Sequence, residues 1–169
     1  MFALVQNGAV QKLIQQGQPF SYNNADYPAT WTSVLTQEQK DELGIVDVVY
    51  GERPSDKFYW VAEMAPTYQA DKNQVFIGFN RFPKDVAQLK STLTGEINHT
   101  AWTILQPSDW MVIKATETGE QMAADWKTWR QVIRTQASEG VAAVNACTTA
   151  DELAALPAIQ WTKDPNSGD

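Results

Sequence analysis

Two side chains of this sequence are of the types used in nucleophilic catalysis: its one cysteine, Cys147, and its one histidine, His99. A cysteine nucleophile needs a base within hydrogen-bonding distance and surroundings that stabilise the thiolate. His99 is the single candidate for that base, and it falls on a long predicted helix with no pattern that pairs it with Cys147. We therefore interpret His99 as a helix-surface residue and Cys147 as a small buried thiol, and we predict that the protein is not an enzyme.

The acidic residues and glycines do not form a recognisable binding motif either. Acidic side chains lie in or beside predicted strands and loops without the spacing of a metal-binding loop, and they include Asp47, Asp56, Glu63 and Asp71. One cysteine and one histidine cannot supply a Cys/His zinc site. The glycines have the spacing of turn residues and not of a phosphate-binding loop. We predict no metal and no cofactor.

Composition narrows the class of protein further. The chain has 169 residues, a net charge of −7 and 43% hydrophobic residues, which indicates one folded domain or two small ones. An acidic chain without a lysine and arginine cluster is a poor candidate for binding nucleic acid or an anionic membrane. No apolar run has the length of a membrane span or a signal peptide, and one cysteine fits a reducing compartment, so we expect synthesis in the cytoplasm.

The first half of the chain predicts a small antiparallel sheet. Asn7-Gly8 favours positive φ at both positions of a two-residue turn and predicts a hairpin. Thr36 with Gln39 matches a capping box, and Gly44 can end that short helix in a left-handed cap. Residues 15–29 are expected to be loop, and residues 27–31 to be extended. Five strands are predicted, at residues 2–6, 9–14, 45–50, 58–64 and 74–82.

The second half predicts a helical hairpin. An apolar stripe at three- and four-residue steps runs along residues 85–106, and a second one includes Met122, Trp126, Trp129 and Ile133. The stripes should bury each other across a break at residues 107–110. The first stripe does not keep a strict heptad, so we expect its helix to pack within one chain and not to form a long coiled coil. Gly95 inside the first helix indicates a close approach by a neighbouring group.

The break between the helices contains the candidate motif Ser108-Asp109-Trp110. The Ser108 or Asp109 side chain can accept hydrogen bonds from backbone N–H groups. Trp110 then either plugs the hairpin or belongs to an aromatic and arginine face of the kind that protein interfaces favour. Residues 111–113 are expected to be extended, and residues 117–120 to form a turn. Thr149 with Glu152 matches another capping box, which predicts a short helix before Pro157.

Large aromatic residues and arginines on the second helix and the tail have the composition of a protein interface. The two arginines can equally be a solvated edge, paired with Glu117 or Asp125. We expect an isolated monomer or weak small oligomer, with Trp161 ordered only when docked on a partner. The candidate interface residues are Trp126, Trp129, Arg130, Arg134 and Trp161.

Together these patterns predict an α+β fold: a small antiparallel β-sheet domain, a helical hairpin that begins with a long helix, and a short C-terminal helix. The predicted domains are residues 1–82 for the sheet, 83–137 for the helical hairpin, and 138–169 for the short helix and an extended tail.

Three stretches carry a resemblance to a known family: Met1–Val10, Tyr68–Val75 and Leu105–Arg134. They resemble tailed-bacteriophage tail proteins, including those grouped as tail assembly chaperones and tail-fibre-associated proteins. The resemblance covers residues 1–14 and 66–137. Its most specific part is a long helix followed by Leu105-Gln106-Pro107-Ser108-Asp109-Trp110, then Glu117-Thr118-Gly119, and then a helix carrying Trp126, Trp129, Arg130 and Arg134.

The resemblance implies a non-enzymatic structural component of a bacteriophage tail, associated with the fibre or baseplate. Its expected partners are other phage tail proteins, with homo-oligomers in the assembled tail as a further expectation, and its expected location is the virion. One alternative is a tail or tail-fibre assembly chaperone that leaves before the particle is complete. A second alternative is a carbohydrate-binding tail-tip protein, because exposed tryptophans can stack on sugar rings.

Overall fold

The first half of the chain is mainly β-sheet and the second half is helical, so the fold is α+β as the sequence predicts. The computed structural model describes residues 1–167. Two compact units are present: Met1–Asp56 with Trp60–Phe82, and Lys57–Tyr59 with the described chain from Pro83 onward. The first unit has these elements: β1 (Phe2–Gln6), β2 (Ala9–Ile14), β3 (Phe20–Tyr22), β4 (Ala25–Tyr27), α1 (Trp31–Val34), α2 (Gln37–Glu42), β5 (Ile45–Tyr50), β6 (Tyr59–Glu63), β7 (Thr67–Gln69), β8 (Gln74–Ile77) and β9 (Phe79–Pro83).

The main sheet has the strand order β2-β1-β5-β8-β7. Its pairs are antiparallel except β5 with β8, which run parallel. Adjacent residues of one strand are both buried, as at Ala3 and Leu4, because apolar clusters cover both faces of the sheet. The Asn7-Gly8 hairpin is confirmed, and both turn residues have positive φ.

Two local predictions in this unit are wrong. Residues 15–29 contain a second small hairpin, β3–β4, whose turn is formed by Asn23 and Asn24, both with positive φ. Trp31 is not extended; it begins the one-turn helix α1, lies almost fully buried, and donates its indole N–H to the Gln18 carbonyl at 3.0 Å. Pro28 disfavours helix only in the residue before it, Tyr27, which does lie in β4, so Trp31 can adopt helix and bury its large side chain.

The two ends of α2 are formed by local interactions, as predicted. Thr36 and Gln39 form the capping box of α2, and Gly44 follows α2 with φ of +71°. The predicted strand at residues 74–82 is divided instead, because Gly78 separates β8 from β9. The two halves then pair in different sheets, β8 in the five-stranded sheet and β9 with β6.

The second unit is built on a helical hairpin. Asp85 caps its first helix by accepting a hydrogen bond from the Gln88 backbone N–H at 2.8 Å. A short 3₁₀ turn at Gln106–Ser108 follows that helix. The helices are α3 (Val86–Leu105), α4 (Asp109–Thr118), α5 (Ala124–Ala146) and α6 (Ala150–Ala154).

The predicted burial of one stripe against the other is confirmed, since α3 and α5 pack together. Their core is formed by Ala101, Trp129, Ile133 and Ala137. The capping box of α6, formed by Thr149 and Glu152, is also confirmed. None of the helices within residues 1–167 combines the length and the apolar character that crossing a membrane requires.

Two predictions for this unit are wrong. Residues 111–113 are part of α4 and not extended, although Val112 and Ile113 favour strands locally. Their helix is closed by Gly119 with φ of +73°, a left-handed cap. Gly95 has open space where a Cβ would lie, so nothing approaches it closely. The crowded glycine is Gly140 on α5, where a Cβ would overlap a side-chain methyl group.

Candidate interaction site

The junction between α3 and α4 is held by one buried arginine from α5. Arg130 is 5% exposed, and its guanidinium donates hydrogen bonds to the Leu105 carbonyl at 3.0 Å, to the Ser108 hydroxyl, and to the Asp109 carboxylate at 2.7 Å. Ser108 is itself buried and donates its hydroxyl to the Leu105 carbonyl at 2.7 Å. One planar guanidinium therefore joins the end of α3, the 3₁₀ turn and the first residue of α4.

This arrangement corrects the predicted role of the motif. Ser108 makes no side-chain capping bond to the helix that follows it, and Asp109 accepts from a side chain of another helix and not from a backbone N–H. The expected pairing of the arginines with Glu117 or Asp125 is replaced at Arg130 by the pair with Asp109. A buried guanidinium needs several acceptors, and the junction supplies two neutral oxygens and one carboxylate.

The sequence contained a signal for this buried position. Arg130 lies four residues after Trp126 and three before Ile133, so it belongs to the apolar stripe of α5. A charged residue inside an apolar stripe is buried only when it is paired, which points to an acidic or polar partner on the facing helix.

With its first residue fixed in this way, α4 presents apolar side chains to solvent. No residue of α4 is buried. Trp110 is 58% exposed and Ile113 is 57% exposed, and Val112 is also exposed. The prediction that Trp110 plugs the hairpin is wrong, because the core between α3 and α5 is already filled by Trp129 and its neighbours. We call Trp110, Val112 and Ile113 the α4 surface.

Two shallow grooves border α5 near this surface. One, of about 330 Å³, is lined by Val112, Met122 and Lys127, among others, and the other, of about 580 Å³, is lined by Trp102, Leu105 and Asp109, among others. Arg134 lines both grooves and is exposed. Exposed aromatic and aliphatic groups beside a cation are the composition of a protein-binding surface.

The candidate interface residues divide into two groups. Trp129, which is 6% exposed, and Arg130 are buried within the hairpin, so the prediction that they form an exposed surface is wrong. Trp126 and Trp161 are half-buried and pack against the same core, whereas Arg134 is exposed. Trp161 is ordered on its own chain, contrary to the expectation that it would be ordered only on a partner. The tryptophans of α5 contribute to the hairpin core because they lie on the face of the helix that packs against α3.

The residues first considered for catalysis occupy ordinary positions. His99 lies on the exposed face of α3, and its ring stacks on the ring of Trp102 with centroids 5.8 Å apart. Cys147 is buried at the end of α5 and donates its thiol to the Ala143 carbonyl at 3.3 Å. Within residues 1–167, no three His, Cys, Asp or Glu side chains are grouped so that they could hold a metal ion.

Comparisons of the chain with protein-family models, with curated proteins and with solved structures gave no match. The function is therefore inferred from the chain's own residues and from the resemblance of its motif.

Proposed function

We propose that this protein is a non-enzymatic structural component of a bacteriophage tail, associated with the fibre or baseplate, and that it acts through protein–protein contacts. The observation that carries the proposal is the α4 surface: three large apolar side chains stand in solvent on a helix with no buried residue. Burial of these side chains under a partner would remove apolar surface from water and would stabilise the complex.

The same segment carries the resemblance to tail proteins. Ser108, Asp109 and Trp110 belong to the motif, and so does Arg130 on α5. Ser108 and Asp109 accept hydrogen bonds from Arg130, and Trp110 follows them directly on α4. The motif thus combines a buried arginine that fixes the start of α4 with an exposed tryptophan on the same helix. A side chain whose position is fixed before binding loses less conformational entropy when a partner covers it.

The direct test is mass spectrometry of purified particles of the phage that encodes the chain. Peptides of this protein should be found in the particles, together with known tail proteins. If the protein accompanies tail proteins in infected cells but is absent from finished particles, it is an assembly chaperone and not a structural component. If it accompanies tail proteins in neither, the tail assignment is wrong.

A second test addresses the α4 surface. The double variant Trp110→Ala, Ile113→Ala should fold normally but be incorporated at a reduced level, because both side chains are more than half exposed. Val34→Ala, at an apolar position on α1 that is at least as exposed, is the control and should leave incorporation unchanged. Normal incorporation of the double variant would remove the α4 surface from the contacts with tail proteins.

A further inference from the structure

The chain after α6 has no helix or strand structure and lies on the α3–α5 hairpin. We call residues 156–164 the C-terminal strap. Helix α6 ends at Ala154, and Pro157 at the start of the strap cannot donate a backbone hydrogen bond and disfavours helix in the preceding residue. The strap is therefore not a continuation of α6, and only Ala155 lies between the end of that helix and the strap.

Side chains of α5 bind the backbone of the strap. The Gln136 amide donates to the Gln160 carbonyl at 3.0 Å and to the Thr162 hydroxyl at 3.2 Å, and it accepts from the Thr162 N–H at 3.3 Å. The Trp129 indole N–H donates to the Thr162 carbonyl at 3.0 Å. Hydrogen bonds to the backbone of an extended segment, from side chains that face it, are a recurring means of peptide recognition.

Two alternate side chains of the strap enter the hairpin. The end of Ile159 lies over Gly140, where a Cβ on the glycine would overlap it, and Trp161 packs on the hairpin core. Both side chains are half-buried against the hairpin. The hairpin thus has the parts of a peptide-binding site: two positions for apolar side chains and backbone hydrogen bonds between and beside them.

The strap leaves part of this site open. A cleft of about 760 Å³ remains beside it, lined by residues of α3, α5 and α6 together with the strap itself. No residue of the strap is fully buried, so the strap lies on the surface of the hairpin and is not a core element enclosed on all sides.

We propose that the surface of the hairpin that holds the strap is an acceptor site for the strap of a second copy of this chain. The second copy is the occupant that the structure favours, because its strap carries the same isoleucine, tryptophan and backbone that already fit. Exchange of an identical segment between copies keeps every contact and is a common route to association. The inference rests on contacts within the chain and does not depend on the tail assignment.

In the isolated wild-type protein the chain's own strap should occupy the site. The short link to α6 gives the chain's own strap an effective concentration on the order of millimolar at the site. The strap of a second molecule at micromolar concentration therefore does not displace it. Several copies held together in an assembly would bring neighbouring straps into the same concentration range. Exchange is therefore expected in the assembled state, and the free protein should be a monomer.

The test uses two full-length variants that separate the strap from its site. The donor, Gly140→Leu, has a blocked site and a normal strap. The acceptor, Ile159→Ala with Trp161→Ala, has an open site and a disabled strap. Each should be monomeric alone, and native mass spectrometry of the mixture should show a 1:1 complex. A chain carrying all three substitutions is the control and should form no complex with the acceptor.

Several results would overturn the proposal. The first is the absence of a complex between donor and acceptor at micromolar concentration. The second is equal complex formation by the control, which would place the contact elsewhere. The third is loss of the folded circular dichroism spectrum in either variant, because the strap would then be an integral part of the core and not an exchangeable segment.

Discussion

Replacing Arg130 with alanine should lower the free energy of unfolding by about 2–4 kcal/mol. The substitution removes hydrogen bonds to the Leu105 carbonyl and to the Ser108 hydroxyl, each contributing about 1 kcal/mol. The Asp109 carboxylate is 48% exposed and can be hydrated again, so its pair contributes at most about 1 kcal/mol. Loss of the buried aliphatic part of the arginine accounts for the rest.

Urea unfolding followed by circular dichroism measures this cost, with Arg134→Ala as the matched control. Arg134 is exposed, and its replacement should change the free energy of unfolding by no more than about 0.5 kcal/mol. Hydrogen exchange should also become faster in α4 than in α3 for Arg130→Ala, because the junction then loses its support. Equal stability of the two variants, with unchanged exchange in α4, would refute the reasoning that Arg130 positions α4.

Three further predictions concern single positions. Trp110→Ala should lower the free energy of unfolding by less than about 1 kcal/mol and Trp129→Ala by about 3–5 kcal/mol, and urea unfolding should rank them in that order. Gly44→Ala should lower the free energy of unfolding by about 3 kcal/mol or more, because φ is +71° and the new Cβ would overlap the Val5 carbonyl oxygen of β1. The control is Gly8→Ala in the β1–β2 turn, where the new Cβ would meet open space; an equal loss there would contradict the prediction. The hydrogen bond from the Thr148 backbone N–H, together with those from its hydroxyl and the next residue, lowers the pKa of Glu152 below its usual 4.5. The stability from this carboxylate is therefore present above pH 4.5 and lost as the pH falls further, and Glu152→Gln should remove that part of the pH dependence in unfolding measurements between about pH 6 and pH 3.

Short-range features of this protein could be predicted from the sequence. The Asn7-Gly8 turn, the capping boxes at Thr36 and Thr149, and the left-handed Gly44 all lie where the sequence placed them. Each depends on groups within about four residues of one another, so the local sequence contains all the partners. The two apolar stripes also predicted the hairpin, because periodicity shows which face of a helix must be covered.

Short or weakly patterned elements were missed. The β3 and β4 strands have three residues each, too few for a period of two to be visible, and the Asn23-Asn24 turn lacks the glycine that marked the first hairpin. In α4, the β-branched pair Val112-Ile113 favours a strand. Helix is adopted there because the left-handed cap at Gly119 and the hydrogen bonds at the other end of α4 act together.

The sequence alone was enough to predict the α+β class, the Asn7-Gly8 turn, the two capping boxes and the packing of α3 on α5. The structure was needed to show which oxygens surround the Arg130 guanidinium, that Trp110 is exposed, and that Trp161 lies on its own hairpin. Arg130 and Asp109 are separated by 21 positions in the chain, and the parallel partners β5 and β8 come from distant segments. Such pairings depend on which apolar surfaces are still uncovered once the local elements have formed, and residue spacing along the chain does not contain that information.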